Sequence, residues 1–430
     1  MTSVKDTVSS LMEKINVVDS RQQGKVKFPL VPALFSIIIA WCCDCKNAVE
    51  VADFLSARKK YLSEIIEGLP KDISMSHDTV LRLLKMVKIS ELQGFLSEFC
   101  SRLEKKEQCG AGKRCLSLDG QTPRSMIYEA EKGAKSPKDR RQYNKLYYVT
   151  LYDSTNKISL AQDEVSDKEN ENKSCVRLLE MFSLSGCVVT ADALNTQRSV
   201  AKAIISKDGE YCLALKGNHE KLQHAVELAF CGEDDETVPM LNKELLEDYD
   251  SELKVFETEP ELGHGRVERR KVEILPSAII KPRILGEWKD DCECIVRATT
   301  YSYDKKYDID REPLVRYYLC SINPESSDIA ETLYRCIREH WHIENSLHWY
   351  LDMDFGQDLM QVKSREYARN RILLNKIALN VLRLIQPKFE KKSETMSITR
   401  LQKRLRDDIS LAVEGLTDYL GQKAIETKND

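Results

Sequence analysis

The chain has 430 residues, of which 42% are hydrophobic and 31% are charged, and its formal net charge is −4. This composition is ordinary for a soluble globular protein with two or three domains, and the slightly acidic balance excludes a simple basic protein that coats nucleic acid. The 14 cysteines do not indicate a disulfide framework, because a chain of this length does not need such crosslinks. They are expected to be buried thiols, with a zinc site at Cys292 and Cys294 as the alternative.

Residues 1–108 carry apolar residues at the three- and four-residue spacing of helices. The longest apolar run, Leu30 to Cys43, is shorter than the roughly 20 residues of a bilayer span and predicts a buried helix. It starts too late for a signal peptide and lacks a small-residue cleavage site, so we expect a cytoplasmic protein without a membrane partner. Ser74 to Thr79 supplies helix-start residues, and the helix after them is a candidate for the second helix of a helix-turn-helix, with packing as the alternative.

Between residues 109 and 218 the pattern changes to short strands that alternate with helices. Strands are predicted over 114–119, 146–152, 157–162, 186–190 and 211–215, and helices over 172–184 and 196–206. This order of three strands, helix, strand, helix and strand is that of a ribonuclease-H-like core. The fold class that we predict is therefore α/β, with the all-helical residues 1–108 in front of the core.

The rest of the chain is predicted to interrupt and then complete that core. Residues 219–325 hold an acidic loop and four strand-like pieces, which predict a β-rich insertion. Residues 326–386 are strongly helical and are expected to complete the core, and residues 387–430 form a polar tail.

Charge is unevenly distributed along the chain. Residues 101–150 hold 12 Lys or Arg and 6 Asp or Glu, residues 363–406 hold 13 and 3, and residues 232–261 hold 2 and 12. The two basic segments are compatible with a positive track for a phosphate backbone, and solvated helix faces are the alternative.

Three acidic residues occupy positions that would bring carboxylates to one rim of the predicted sheet. Asp119 ends the first strand, Asp192 follows the fourth, and Glu344 lies in the later helical segment. Carboxylate oxygens are hard ligands suited to Mg²⁺, and a pair of such cations supports phosphoryl transfer on nucleic acid. The three acids are therefore the candidate catalytic and metal-binding residues, with Asp352 as a rival third ligand.

Five sequence blocks resemble those of bacterial insertion-sequence DDE transposases of the H-repeat-associated type. They are Leu118–Arg124, Ala191–Gln197, Leu215–Asn218, His264–Arg270 and Arg338–Asp352. The last block is long and specific, and Val51–Phe54 with Leu69-Pro70 also resembles the domain that accompanies this family. The resemblance covers about residues 15–385.

The resemblance implies a DNA transposase that cleaves transposon ends and transfers the strands to target DNA, with Mg²⁺ as cofactor and Mn²⁺ as a substitute. It implies a catalytic triad of Asp119, Asp192 and Glu344, DNA as partner, and self-association on DNA. Seven further residues in or beside these blocks are candidates for DNA binding, and they are Arg124, Lys216, His264, Arg266, Arg270, Arg338 and Asn345.

The chain departs from the family pattern at several positions near the acids. Gln121 stands where the family has Lys, Ser125 for Gly, Ala191 for Gly, Asn195 for His and Gln357 for Glu. Gln121 and Asn195 could change contacts to the scissile phosphate. The alternatives are therefore a ribonuclease-H-like nuclease that does not join DNA, or a domesticated, non-catalytic DNA-binding protein.

Histidines and tryptophans around Glu344 suggest further possibilities. His340, His342 and His348 do not have the four-residue spacing of a helical zinc motif. Trp341 and Trp349 are eight residues apart and are expected to pack in the core, whereas Trp288 is a weaker candidate for stacking on a flipped base.

Overall fold

The structure is a computed structural model that describes residues 4–13, 15–104, 112–123, 146–165, 170–233, 239–263, 265–360, 364–390 and 396–414. Its helices are α1 (Val4–Met12), α2 (Leu30–Cys42), α3 (Ala48–Ala57), α4 (Lys59–Ile65), α5 (His77–Met86), α6 (Ile89–Glu104), α7 (Glu171–Glu180), α8 (Arg198–Ile205), α9 (Glu220–Cys231), α10 (Lys243–Glu247), α11 (Tyr249–Glu252), α12 (Pro282–Leu285), α13 (Ile329–His340), α14 (Trp349–Met353), α15 (Arg365–Ile385) and α16 (Ile398–Asp407). Its strands are β1 (Arg114–Gln121), β2 (Tyr148–Asp153), β3 (Ile158–Glu164), β4 (Cys187–Ala191), β5 (Glu210–Leu215), β6 (Lys254–Glu257), β7 (Glu261–Gly263), β8 (Arg266–Pro276), β9 (Cys294–Asp304) and β10 (Ile309–Cys320).

The first hundred residues are helical, as predicted. The apolar run that begins at Leu30 forms α2, which is almost wholly buried and packs against α3 and α15. Side-chain caps fix where its neighbours begin, because Asn47 accepts from the amides of α3 and Ser76 accepts from the Thr79 amide of α5. Within the described residues, the helices lack the length and hydropathy that a membrane crossing requires.

One large mixed sheet organises the described part of the chain. Its strand order is β3-β2-β1-β4-β5-β10-β9-β8-β6, with β7 paired to β8. β1, β2 and β3 are antiparallel neighbours, whereas β4 runs parallel to β1 and β5 parallel to β4. The carboxyl ends of β1, β4 and β5 therefore lie along the same edge, where the first two candidate acids were predicted.

The inserted strands continue this sheet. β10 pairs antiparallel with β5, with Cys320 opposite Cys212, and β9 and β8 extend the sheet beyond it. The sequence predicts these strands, but it does not predict that one of them pairs with β5.

Helices cover both faces of the sheet. Cys115 and Val188 belong to one buried cluster, which α13 covers, whereas the adjacent Leu116 and Val189 belong to the other. This alternation is the two-residue period of strands buried on both faces. The 12 cysteines whose side chains the structure describes are all free, and all but Cys231 are buried, which confirms the expectation of buried thiols.

α15 packs against the N-terminal helices and also against β3, and it carries five fully or almost fully buried polar residues. Asn370 donates to the carbonyls of Leu84 and Val87, at 2.6 and 2.7 Å. Asn380 forms two 2.9 Å hydrogen bonds with the backbone of Ser159 in β3. α15 therefore ties the helical segment to the sheet by directed hydrogen bonds as well as by apolar contact. α16 packs on α2 and α15 and buries Leu401 and Leu405.

Candidate active site

Asp119 lies near the end of β1, opposite Thr150 of β2. Its Oδ1 accepts a 2.9 Å hydrogen bond from the Gly120 amide, and its Oδ2 lies 3.5 Å from Nδ1 of His348. Burial, followed by the negative charges of Asp192, Glu344 and Glu171, raises the pKa of Asp119 to about 7, whereas the hydrogen bond from the Gly120 amide opposes this rise. The electrostatic environment of Asp119 therefore includes both other acids of the predicted triad.

Asp192 directly follows β4 and begins a short 3-10 turn over Ala193–Asn195. Its Oδ1 accepts from both the backbone amide and the side-chain amide of Asn195, each at 3.1 Å. Because β4 runs parallel to β1, this carboxylate lies at the same sheet edge as Asp119. The turn fixes the Asp192 side chain in one orientation.

Glu344 lies in a π-helical segment, Ile343–His348, between α13 and α14. Such π segments often occur at functional sites, because the extra residue per turn re-aims the side chains around it. Glu344 is exposed, and partial burial of its carboxyl raises its pKa, whereas the nearby charge of Arg316 lowers it. The third acid is thus presented from a helix that packs next to the sheet.

Glu171, at the start of α7, is a fourth acid at this site that sequence reasoning missed. Its side chain is 7% exposed, and it accepts hydrogen bonds from the Tyr147 hydroxyl and, at 2.6 Å, from Nδ2 of Asn195. A Cβ atom at Gly120 would lie 2.7 Å from Glu171 Oε1 and also clash with the Tyr147 hydroxyl, so both side chains would have to shift if Gly120 were replaced. Nothing in the local sequence distinguishes Glu171 from an ordinary glutamate in the first turn of a helix, so its place at this site is visible only in the three-dimensional structure.

Asn195 joins two of these acids through one amide. Its Nδ2 donates to Glu171 Oε1 and to Asp192 Oδ1, and the residue is fully buried. Without that shared donor, two carboxylates would face each other unscreened. The departure from the family's histidine therefore keeps a hydrogen-bond donor at this position.

We expect Asn195→Ala to weaken divalent-cation binding about 10- to 100-fold, because residues that orient metal ligands typically contribute that much. Asn195→His should retain most of the affinity, since an imidazole N–H can replace the amide donor. The measurement is the divalent-cation concentration that gives half-maximal stabilisation against thermal unfolding. Asn242→Ala, which removes an equivalent amide from the helix cap of α10, is the control and should leave that concentration unchanged. Equal metal requirements for Asn195→Ala and wild type would contradict this role.

Two other departures from the family pattern meet at one hydroxyl. Tyr148 donates to Oε1 of Gln121 at 2.9 Å and accepts from Nε2 of Gln357 at 2.6 Å. Nε2 of Gln121 contacts Asp352, the rival third ligand, at 3.3 Å. Both amides are buried and engaged beneath the site, so two neutral residues stand where the family has a Lys and a Glu.

The predicted DNA-binding residues divide into three groups. The first group, Arg124 and His264, lies outside the described residues. The second group is Lys216 alone. Lys216 is exposed at the end of β5. The loop after it is tied to the Asp192 turn, because Asn218 donates to the Ala193 carbonyl at 2.6 Å. Lys216 is thus presented at the edge that carries Asp119 and Asp192.

The third group lies on β8 and on the helices before and around Glu344. Arg270 is buried between Glu261, at 2.9 Å, and Glu268, and Arg266 lies 4.0 Å from Asp304. Arg338 and Asn345 are exposed, and burial of the Arg338 guanidinium together with the charge of Arg270 lowers the Arg338 pKa. Arg270 already has two carboxylate partners, whereas Arg338 remains accessible.

Arg316 of β10 is a cation that sequence reasoning missed. Its guanidinium lies 5.0 Å from the centre of the Trp341 ring, and its charge acts on both Glu344 and His340. In the described part of the chain no carboxylate lies within ion-pairing distance of it. A half-buried, unpaired arginine beside an acid is placed to receive an anionic group.

The aromatic and histidine predictions have mixed outcomes. Trp349 is 50% exposed, so the expectation that it packs in the core is wrong, because the π segment rotates it away from the face of Trp341. Trp288 is buried against Tyr211 and His219, which contradicts a base-stacking role.

The three histidines are dispersed, as expected. His340 pairs with Thr190 and His342 with the Ser154 carbonyl, both at 2.9 Å, while His348 faces Asp119. Burial lowers the pKa of His340 to about 4 and that of His348 to about 3, so both are neutral at pH 7.

The acids suit divalent cations in chemistry but do not form a closed cage. In the ranges that the structure describes, no group of three or more His, Cys, Asp or Glu side chains is arranged to hold one ion. Mg²⁺ is commonly held by one or two carboxylates, with water and substrate phosphates completing its six ligands. The carboxylates of Asp119, Asp192 and Glu344 are hard oxygen donors, and the charges of Asp192 and Glu344 act on Asp119. This arrangement fits that mode of binding.

Comparison with known proteins places most of the chain in one group. A family model described as "Transposase DDE domain" matches residues 110–381, and one described as "DDE_Tnp_1-associated" matches residues 14–100. "Putative transposase YncI" of Escherichia coli O157:H7 is 29% identical over 386 residues, which cover 88% of each chain. "H repeat-associated putative transposase YhhI" of Escherichia coli K12 is 26% identical over 87% of this chain and 90% of its own. A cryo-EM structure of a piggyBac transposase synaptic complex with hairpin DNA aligns with 98% of this chain and 78% of that one, at 12% identity and a TM-score of 0.38.

Proposed function

The chain belongs to the transposase DDE domain family, and from that premise we propose that it cleaves DNA at the ends of a mobile element and joins those ends to target DNA. The observation that carries the proposal is the placement of Asp119 and Asp192 at the carboxyl ends of adjacent parallel strands, with Glu344 near enough for its charge to act on Asp119, although the three acids are widely separated in the chain. Family membership itself was predicted correctly from the sequence blocks. The reaction and the roles of individual residues are the proposal.

The strand order supports a ribonuclease-H-like catalytic core. β3-β2-β1-β4-β5, with the first three strands antiparallel and the last two parallel to β1, is the order expected of that fold. In this arrangement Asp119 and Asp192 lie at the carboxyl ends of adjacent parallel strands, and Glu344 is supplied from the helical segment that completes the core.

Asp119, Asp192 and Glu344 are the residues that would hold Mg²⁺, or Mn²⁺ as a substitute. When bound, a pair of such ions makes a water or 3′-hydroxyl nucleophilic and stabilises the leaving oxygen. The protein's own contribution is preorganisation. Asn195 fixes Asp192, the Gly120 amide fixes Asp119, and His348 remains neutral, so the negative charge of Asp119 is kept for the cations.

Positive side chains around this edge are suited to hold the DNA strand. Lys216 is exposed after β5, Arg338 is exposed on α13, and Asn345 is exposed in the π segment that carries Glu344. Arg316 faces Glu344 from β10. We assign Arg316 to the phosphate next to the cut, where its charge offsets that of the phosphate as the strand approaches the acids.

Arg316→Gln is expected to slow cleavage by about 100-fold, the lower end of the range for loss of one preorganised donor. The decisive measurement is a double-mutant cycle with a DNA substrate that carries a single neutral methylphosphonate next to the cut. On that substrate, wild type and Arg316→Gln should react at the same rate, because the contacted charge is already absent. Arg311→Gln, on the same strand and paired with Asp304, is the matched control. Fully additive losses would show that Arg316 does not contact that phosphate.

The proposed function is tested with the purified full chain and a DNA fragment that carries the sequences flanking its gene, in Mg²⁺. Cleaved ends with free 3′-hydroxyls and joined products are expected, formed by an assembly larger than one chain. Cleavage without any joined product would instead indicate a ribonuclease-H-like nuclease. Binding without cleavage would indicate a domesticated DNA-binding protein, although the hydrogen-bonded Gln121 and Asn195 favour an intact site.

A further inference from the structure

A cleft beside α5, far along the chain from the acids, has no role in the chemistry above. Its volume is about 520 Å³, and it lies between the segment that contains Lys25 and Lys27 and the first two turns of α5. Arg21, Lys25, Lys27 and Arg82 line it together with the hydroxyls of Ser76 and Thr79. Among the described residues, four cations and no carboxylate thus line one concave surface.

Three of these cations have no acidic partner. Arg21 is held by Asp19 through contacts of 2.6 and 2.8 Å, so its charge is largely neutralised. Lys25, Lys27 and Arg82 are exposed and pair with no carboxylate in the described residues. Arg82 donates hydrogen bonds to Thr79 Oγ1 and to the Asp78 carbonyl, at 3.3 and 3.4 Å. Holding unpaired like charges on one surface without a ligand is unfavourable, so the cleft is suited to an anion.

A second groove follows the neighbouring stripe of α5. It has a volume of about 620 Å³, and Lys46 and Lys85 contribute its cations. Lys85 has no acidic partner among the described residues, whereas Lys46 lies 3.7 Å from Asp44. Cations therefore flank the exposed ridge of α5 on both sides. A helix is about 10–12 Å across and the major groove of B-DNA is about 12 Å wide, so side chains on the two flanks of one helix can reach the two bordering backbones.

We propose that this face of the N-terminal helical segment binds the phosphate backbone of duplex DNA, with Lys25, Lys27 and Arg82 contacting one strand beside α5. The inference deepens the proposed function, on which it rests for the identity of the polyanion, and it assigns DNA binding to the segment that matches the associated family model. Phosphate contacts of this kind fix position and supply affinity without reading sequence.

The test uses the full chain and a DNA duplex of arbitrary sequence, with binding measured by fluorescence anisotropy across a range of salt concentrations. Each phosphate contact contributes about −0.9 to the slope of log K against log salt. Removing three contacts in K25Q/K27Q/R82Q should therefore make the slope shallower by about 2–3 and weaken binding by about 100-fold or more near 0.1 M salt. K60Q/K243Q/K289Q removes three exposed lysines elsewhere and is the matched control, expected to bind as wild type does.

Equal slopes for K25Q/K27Q/R82Q and the control would overturn the proposal. If the triple variant unfolds at a lower temperature than wild type, the single variants are used instead, and each should reduce the slope by about 1. If the triple variant changes the slope as expected but wild type does not cleave DNA, the cleft assignment stands and the proposed reaction is refuted. If wild type cleaves DNA but the triple variant leaves the slope unaltered, the proposed reaction stands and the cleft assignment is refuted.

Discussion

Asp119→Asn is expected to reduce DNA cleavage by at least about a thousandfold while making the metal-free protein more stable. The activity falls because an amide is a poor ligand for a divalent cation, and catalysis by positioned charge depends on that ligand. The stability rises because burial and three neighbouring acids oppose the negative charge of Asp119. One substitution should thus move activity and stability in opposite directions.

The direction in which stability changes with pH follows from the raised pKa of Asp119. Asp119 has a folded-state pKa of about 7, against an ordinary value of 3.8, so the folded protein binds the proton more readily than the unfolded chain. Ionised Asp119 lowers the free energy of unfolding. This effect is absent below about pH 4, grows as pH rises, and is complete above about pH 7, where it reaches at most about 4 kcal/mol. The stability advantage of Asp119→Asn should therefore widen between these values.

Urea unfolding of wild type and Asp119→Asn at pH 5 and pH 8, without divalent metal, measures this difference. Adding Mg²⁺ should then stabilise wild type alone and narrow the gap, because only wild type retains the full ligand set. Asp208→Asn, a substitution in an exposed turn, serves as the control and should change neither activity nor stability. Cleavage by Asp119→Asn within a few-fold of wild type would remove Asp119 from the proposed site.

Lys376→Met is expected to stabilise the fold by about 1–4 kcal/mol, the range seen when buried charged groups are replaced by apolar ones. Lys376 is fully buried on α15; its Nζ donates to Thr150 Oγ1 at 2.6 Å and lies 4.3 Å from the centre of the Tyr148 ring. No carboxylate pairs with it in the described residues, and burial lowers its pKa well below the usual value. Methionine fills a similar volume without that cost.

At Lys376, stability changes with pH in the direction opposite to that at Asp119. With a lowered pKa, the folded protein binds fewer protons at Lys376 than the unfolded chain, so wild type gains stability as pH rises toward the ordinary lysine value of about 10.4. The advantage of Lys376→Met should be largest near pH 7 and shrink toward pH 10. Unfolding in urea at pH 7 and pH 9.5 tests this, with the exposed Lys88→Met as control. A destabilised Lys376→Met would mean that the Thr150 contact outweighs the desolvation of the amine.

The position of Lys376 gives a functional reason why a residue that destabilises the fold is kept there. Thr150 is directly opposite Asp119 in the strand register, so Lys376 lies beneath the acids. We therefore expect Lys376→Met to lose activity despite its gain in stability, a common exchange at functional sites.

The sequence predicted those features that depend on local pattern. Strand periodicity located β1 to β5, and the residues at the end of β1 and directly after β4 marked the edge where Asp119 and Asp192 lie. Glu171 was missed because its role depends on Tyr147, Asn195 and the missing side chain of Gly120, which no local spacing reveals. Arg316 was missed for the same reason, since it reaches Glu344 only through pairing of β10 with β5. Trp349 was misplaced because regular helical spacing does not hold across a π segment.

The pairing of β10 with β5 has a consequence for any attempt to build a minimal enzyme. Excising the insertion would strip β5 of its neighbour and leave the amides and carbonyls of Cys212–Leu215 open along the side of the catalytic half. An uncovered apolar edge of that kind recruits other chains and promotes aggregation. The insertion is thus a structural partner of the catalytic strands, and truncated versions would need a replacement strand or charged substitutions along β5 to stay monodisperse.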